Sequence, residues 1–360
     1  MVRFSKRIPE RIIKKYLEEK EKKPVRILVY ERLGAGWHGA GYKIVYIVRG
    51  GMKAVVLRLE RPVGFSHDYP SDRAKVFILQ HALSGSIPNH IRSIDVVGLN
   101  KNRIVSIGGC KDFYQFVEEA RGTYYKADLD KLLKKGHLGT IDRKKALLLS
   151  DYLVNLHKKK FNGPGEMAKS IHRRHTRDVI GNGEMLIGVL DTYPDKVDWL
   201  SKKDVVGLIE KAVVFREKIK DKHNRLRRMH GDFHPANILF RDSTHFKVLD
   251  ASRELWGEPA DDITSLGINY IWYALMDKGN FSGPFKELFE IFWDNYIKKT
   301  RDYGVNEIAP LFFAFRGVVV AHPTFYKAQS DNTRCRIFNF INAVLDDGEF
   351  DYKKINSYIR

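Results

Sequence analysis

Cysteine is almost missing from this chain: Cys110 and Cys335 are the only two in 360 residues. Two thiols are too few for a disulfide framework or a cysteine-based zinc site, and such scarcity points to a reducing compartment. No apolar run approaches the roughly 20 residues that a membrane-spanning helix needs. The opening Met-Val-Arg-Phe-Ser-Lys-Arg has no apolar signal region, so a cytoplasmic protein with no membrane segment is expected. Acidic residues are also in deficit, 44 Asp and Glu against 63 Lys and Arg, which leaves a formal charge of +19. With 43% hydrophobic and 12% aromatic residues the chain can build a sizeable core, and a wholly disordered polycation is excluded. The excess charge must lie over a folded surface, which favours phosphates, nucleic acid or other anionic partners.

The chain contains no repeat and no low-complexity tract. Residues 6–23 read as a charged helix, with Ile12, Ile13, Tyr16 and Leu17 at helical spacing before Pro24 stops it. β-Branched runs at 25–30, 43–48 and 53–59, separated by glycine clusters, predict a small antiparallel sheet. A helix is predicted over 72–83 and further strands over 91–97 and 103–107. Beyond 113–122 the pattern turns mainly helical: 126–135, 142–158, 184–191, 201–227, 262–278, 284–300 and 306–320. Loops are expected at 160–166 and 250–260. The expected organisation is α+β, with a helical extension at 1–24, a nucleotide-binding N-lobe at 25–112, a hinge at 113–122 and a larger, mainly helical C-lobe at 123–360.

Two clusters carry chemistry. The stretch from Leu33 to Gly41 holds a G-x-G-x-x-G match at Gly34, Gly36 and Gly39. A dinucleotide-binding loop of that spelling opens a helix, whereas here Gly41 leads into Tyr-Lys-Ile-Val-Tyr-Ile-Val, a strand pattern. Strand, glycine turn, strand is the loop that covers nucleotide phosphates in kinases; an ordinary glycine-rich hairpin is the other reading. Strand alternation then puts Arg58 where a phosphate-binding lysine is expected, with Asp72 as the only acidic candidate partner on the next helix and a surface arginine as the alternative.

The second cluster is Met229-His230-Gly231-Asp232-Phe233-His234-Pro235-Ala236-Asn237. Asp232 and Asn237 have the D-x-x-x-x-N spacing of a phosphoryl-transfer loop, where the aspartate accepts a hydroxyl proton and the asparagine holds magnesium. A hairpin of 238–240 and 245–249 around a polar turn would bring Asp250 back beside Asn237, and two hard oxygen ligands suit a magnesium ion carrying phosphates. Singly, each aspartate reads equally as a turn cap or a strand end.

The string His230-Gly231-Asp232-x-His234-x-x-Asn237 resembles the Brenner motif of the aminoglycoside phosphotransferase and choline kinase family, within the protein-kinase-like superfamily. The resemblance extends over most of 27–320. The segment 116–122, with Glu118 and Glu119, resembles the hinge that meets adenine, Leu153 to His157 resembles the helix end before the substrate region, and Gly257 to Ile263 resembles the segment after the second metal ligand. The resemblance implies a bilobal fold, ATP or alternatively GTP, Mg2+, and phosphorylation of a hydroxyl. It makes Asp232 the base, Asn237 and Asp250 the metal ligands, and His230, His234 and Asp262 the residues that shape the loop. Two departures stand out: Arg58 replaces the lysine, and Asp250-Ala251-Ser252 lacks an Asp-Phe-Gly triplet, with twelve residues from Asp250 to Asp262. An ordinary protein kinase is thereby disfavoured.

Cationic acceptors call for carboxylate-rich sites, yet residues 158–177 hold seven Lys and Arg. Arg173, Arg174 and Arg177 are therefore candidates for binding an anionic acceptor, and a solvated face or salt bridges between segments is the alternative. The expected function is phosphorylation of an anionic or sugar-like small molecule, an aminoglycoside being disfavoured. An RNA or protein kinase using the basic surface and a nucleotide-binding pseudokinase are the alternatives. Arg316 and His322, in an apolar helical stretch, read by default as buried structural residues.

Overall fold

The computed structural model describes residues 7–35, 39–60, 69–83, 92–108, 120–250 and 253–360. The chain divides into two compact units, Met1–Val117 and Glu118–Arg360.

In the first unit, helix α1 (Glu10–Glu21) buries Ile12, Ile13 and Leu17. These pack with Val25, Ile44, Tyr46 and Val48 into a small core. Strands β1 (Arg26–Ala35), β2 (Gly39–Val48) and β3 (Gly51–Glu60) form an antiparallel sheet in that order. The β1–β2 register sets Gly34 opposite Gly41 and Ala35 opposite Ala40. The glycine stretch therefore closes a hairpin and opens no helix; Gly36 lies outside the described residues. Helix α2 (Pro70–Leu83) and the hairpin β4 (Val97–Asn100) with β5 (Arg103–Ser106) follow. The strand predicted from 91 begins only at Val97; ahead of it the Asp95 carboxylate is held by Tyr16 (2.5 Å), Lys20 (2.9 Å) and Ser106 (2.9 Å).

The second unit is mainly helical. It begins with β6 (Thr123–Tyr124), α3 (Tyr125–Lys135), α4 (Thr140–His157), α5 (Gly165–Gly181), α6 (Leu186–Leu190) and α7 (Lys202–Ile219). Next come β7 (Arg227–Arg228), β8 (Ile238–Phe240), β9 (Phe246–Val248) and β10 (Trp256–Gly257). Then follow α8 (Pro259–Lys278), α9 (Gly283–Thr300), α10 (Gly304–Val320), α11 (Asp331–Asp347) and α12 (Ile355–Tyr358). The pairs β6–β8, β8–β9 and β7–β10 are all antiparallel. An α+β architecture of small antiparallel sheets and many helices is thus in place.

Helix α8 is buried on every side from Pro259 to Leu275, which is why its sequence reads as apolar with little periodicity. In α10, Pro310 has no amide to donate to the Asn306 carbonyl one turn earlier. Phe350 N–H takes that place at 2.9 Å, so the interrupted helix stays buried without an orphan acceptor.

One helical prediction needs correction, and one helix goes unpredicted. The helix predicted over 201–227 ends at Ile219. Beyond it the chain turns so that the Arg225 guanidinium forks onto Glu258 (2.6 Å) and Asp302 (2.6 Å). The basic stretch around 165–181, read above for its charge alone, is helix α5. Its buried stripe, Ala168, Ile171, His172, His175, Thr176 and Val179, is completed by two histidines.

Burial pushes His172 down to about 4 from the usual 6.5, and its Nδ1 donates to the Lys220 carbonyl at 3.1 Å. A histidine with a depressed folded-state pKa stabilises the fold fully above its unfolded value of about 6.5. On acidification the unfolded chain takes up the proton first, so that stability is lost as the pH falls toward 4, by up to about 3 kcal/mol. Urea midpoints at pH 7 and pH 5 should diverge in the wild type and diverge less in His172→Gln. Equal pH dependence in both proteins would contradict the assignment.

Candidate active site

The segment from Met229 to Asn237 is held in shape by backbone contacts that few residue types supply. Gly231 has φ +85°, and a Cβ there would lie 2.5 Å from the Arg253 Cβ, so both conformation and space call for glycine. The Asp262 carboxylate, at the N-terminal end of α8, accepts the His230 amide at 2.8 Å and the Gly231 amide at 2.7 Å. His157 Nε2 meets the same carboxylate at 3.1 Å, while its Nδ1 lies 2.9 Å from the Tyr296 hydroxyl. Burial alone would raise the Asp262 carboxyl; the His157 hydrogen bond and the loop amides prevail and hold it below the usual carboxylate range. His230 Nδ1 accepts the Asp232 amide (3.2 Å), and His234 Nδ1 accepts the Ala236 amide (3.2 Å). His230, His234 and Asp262 therefore each contact loop backbone, two through a ring nitrogen and one through both carboxylate oxygens.

Three side chains converge on Asp232. Arg316, from α10 and 84 residues further on, places NH1 2.6 Å from Asp232 Oδ1. Its NH2 reaches the Gly231 carbonyl (2.8 Å) and Asp261 Oδ1 (2.6 Å). Asn237 Nδ2 donates to the Asp232 backbone carbonyl and to Oδ2, both at 3.1 Å. His234 Nε2 lies 3.6 Å from Oδ2, an ion-pair distance rather than a hydrogen bond. Burial would raise the Asp232 carboxyl; His234 and above all the close, permanently charged Arg316 guanidinium overturn this and hold it well below the usual carboxylate range. Sequence reasoning gave Arg316 a structural role by default and had no signal for this contact, because the two residues meet only through the packing of α8 and α10.

Asn237 and Asp250 are brought close by the β8–β9 ladder: Ile238 faces Val248, and the Leu249 amide donates to the Asn237 carbonyl at 2.8 Å. With its Nδ2 turned to Asp232, Asn237 keeps Oδ1 free of any donor among the described residues. Asp250 is exposed, adopts φ +56° and has no carboxylate partner among the described residues. A left-handed aspartate without a local bond is strained backbone of the kind held at functional sites. No group of three or more His, Cys, Asp or Glu converges among the described residues as a closed metal cage requires. Two free hard oxygens, one amide and one carboxylate, fit magnesium, which keeps waters and phosphates as its remaining ligands.

The remaining expected residues fall elsewhere. Arg58 is exposed on β3 and donates to Gln80 Oε1 at 3.0 Å, beside the Phe77 ring. Asp72, offered as its acidic partner, instead accepts the Tyr69 amide (2.8 Å) in the first turn of α2. Gly34 and Gly39 lie on β1 and β2; Glu118 and Glu119 are outside the described residues. Arg173 is on Asp221 (2.6 Å), Arg174 on Asp178 and on Glu254 (2.6 Å), and Arg177 on Asp178 (2.9 Å). Of the two readings open for this basic stretch, the salt-bridged one describes its geometry. None of the three is among the described residues lining the cavity of about 300 Å³ in whose wall Asp232 and His234 stand.

No protein-family model matches the chain, and no curated protein does. Among solved structures it is similar to phosphotransferases and kinases. A thermostable mutant of aminoglycoside phosphotransferase APH(4)-Ia in apo form is 13% identical, with 93% of this chain and 99% of that chain covered and a TM-score of 0.36. Amicoumacin kinase hAmiN in complex with AMP-PNP, Ca2+ and Ami is 15% identical over 92% of this chain and 91% of that chain, with a TM-score of 0.42. LicA in complex with AMP is 12% identical over 94% and 98%, with a TM-score of 0.34. The chemistry of this chain is carried by the side chains described above. Among the described residues, no helix is long and apolar enough to cross a membrane.

Proposed function

We propose that the chain is an ATP- and magnesium-dependent phosphotransferase acting on a hydroxyl group of a small molecule. The observation that carries this reading is Asp232: an ionised carboxylate fixed by Arg316 and Asn237 in the wall of a small-molecule-sized cavity, on the same loop as Asn237, whose Oδ1 has no donor among the described residues. In this reading Asp232 orients the acceptor hydroxyl and takes its proton as the phosphoryl group arrives. Asn237 and Asp250 would hold magnesium, whose charge offsets that of the transferring phosphate. Gly34, Gly36, Gly39 and Arg58 would meet the nucleotide phosphates, and Glu118 and Glu119 the base. His230, His234 and Asp262 keep the loop in place.

A nucleotide-binding chain without turnover is the second reading, favoured by Arg58, whose partner among the described residues is the neutral Gln80 amide where a charged lysine–carboxylate pair is the kinase arrangement. One assay separates them. Release or transfer of the γ-phosphate from labelled ATP should require a divalent cation and fall at least about 100-fold in Asp250→Ala. Nucleotide binding with no cation-dependent turnover would establish the second reading; turnover indifferent to both changes would contradict the first.

A further inference from the structure

The cavity beside Asp232 is built entirely from residues of the second unit, and its walls specify more than a generic alcohol. One side is apolar: Phe315 and Val319 from α10, with Phe325 and Tyr326 just beyond it. These rings are held before any ligand arrives. Phe325 stacks on His322 with centroids 3.8 Å apart, and Tyr326 packs edge-on against Trp272 at 4.7 Å. His322 is itself fixed, its Nδ1 accepting the Thr324 amide (3.1 Å) and its Nε2 therefore donating to Thr192 (3.0 Å).

Ser265 and Asn269 stand one turn apart on α8 and both line the cavity. Ser265 is 1% exposed, and its Oγ has no hydrogen-bond partner among the described residues. A buried hydroxyl left unpaired costs stability unless a ligand satisfies it. Asn269 gives its Nδ2 to the Ser265 carbonyl at 2.8 Å, which leaves its Oδ1 as an acceptor.

The charges are balanced and engaged. Among the described lining residues, the acids are Glu184 and Asp232 and the arginines are Arg253 and Arg316; there is no lysine. Arg316 is held by Asp232 and Asp261, and Arg253 lies against Glu184 at 3.3 Å. A polycation finds no spare carboxylates here, and each guanidinium already has a carboxylate beside it, with only the Nε of each left without a hydrogen-bond partner among the described residues. The volume of about 300 Å³ is at the lower end for small-molecule sites and roughly twice the ~150 Å³ that encloses one benzene ring.

Resting on the phosphotransferase reading, we propose that the acceptor is an uncharged alcohol of one- or two-ring size, with a largely apolar body against Phe315, Val319 and Phe325. Its reacting hydroxyl lies at Asp232, and a second polar group lies at Ser265 and Asn269. In the transfer step the acceptor oxygen bonds to the γ-phosphorus and its proton passes to the Asp232 carboxylate. The bond from that phosphorus to the β,γ-bridging oxygen breaks with its electron pair going to ADP, giving ADP and a phosphate monoester.

The test uses the full chain with three kinds of probe: uncharged ring alcohols (2-phenylethanol, tyrosol and salicin), kanamycin, and a ten-nucleotide RNA. Binding is read without nucleotide by saturation-transfer NMR, and labelling with γ-labelled ATP. At least one ring alcohol should bind and become labelled. That binding should weaken at least tenfold in Val319→Trp, which fills the cavity, and several-fold in Ser265→Ala, a smaller change that keeps the helix packed. Labelling of kanamycin or RNA in preference to every ring alcohol, or ring-alcohol binding indifferent to both substitutions, would overturn the proposal. The phosphotransferase reading fails on a different result, namely ATP turnover equal in wild type and Asp232→Asn, and the binding arm is independent of it.

Discussion

Arg316→Ala should destabilise the protein by about 3–5 kcal/mol, the cost of removing one partner from a buried charge cluster, and should lower phosphoryl transfer at least about 100-fold. Arg316 is 5% exposed and joins the Asp232 carboxylate, the Gly231 carbonyl and the Asp261 carboxylate through contacts of 2.6, 2.8 and 2.6 Å. Without it two carboxylates remain inside the protein with no permanent countercharge. Asp261 has His175 Nε2 at 3.7 Å, but burial lowers that ring's proton affinity, which makes it a poor replacement for the arginine. Asp232 keeps its Asn237 contact yet loses the group that fixes its other oxygen, and a misplaced carboxylate no longer orients a hydroxyl. Arg316→Lys retains the charge but not the planar fork that spans three acceptors, so it should recover part of the stability and little of the rate. Denaturant unfolding and initial rates on the same preparations check both claims. An Arg316→Ala protein as stable and as active as the wild type would contradict them.

What was readable in the sequence was local. Asp232 and Asn237 lie five residues apart, and a hairpin short enough to count returns the chain at Asp250. Spacing and strand pattern are sufficient for contacts of that range. The glycine hairpin was equally readable, since a strand pattern follows Gly41 directly.

What escaped depends on packing between distant segments. Arg316 meets Asp232 because α10 packs on α8, and no local pattern in 304–320 distinguishes an arginine aimed at a catalytic loop from one that merely fills space. Helix α5 was hidden by its own charge: its inner stripe uses His172 and His175 where an apolar residue would have completed the helical period. The three arginines on its outer turns looked like a docking surface because their carboxylate partners, Asp221, Asp178 and Glu254, lie in part on other segments. Gln80 in place of an acidic partner for Arg58 was likewise invisible, since the amide signals nothing by composition. The cavity wall draws on five separate stretches between Gly183 and Tyr326, so its balance of charge emerges only when they are assembled.

The central claim is that Asp232 takes the acceptor's proton, and Asp232→Asn tests it with the least disturbance. The amide is nearly isosteric and keeps one oxygen for Arg316; its NH2 replaces the oxygen that accepts from Asn237, whose bond to the Asp232 backbone carbonyl remains, and the negative charge and the ability to accept a proton are lost. Loss of a positioned general base costs about 10²–10⁴ in rate, while nucleotide affinity, which does not depend on that proton, should stay within a few-fold. The decisive measurement is single-turnover transfer of labelled γ-phosphate from magnesium ATP by wild type and Asp232→Asn at saturating nucleotide. A fall of about 10²–10⁴ with binding retained is the expected result; transfer within twofold of the wild-type rate would contradict the assignment of Asp232 and the function built on it.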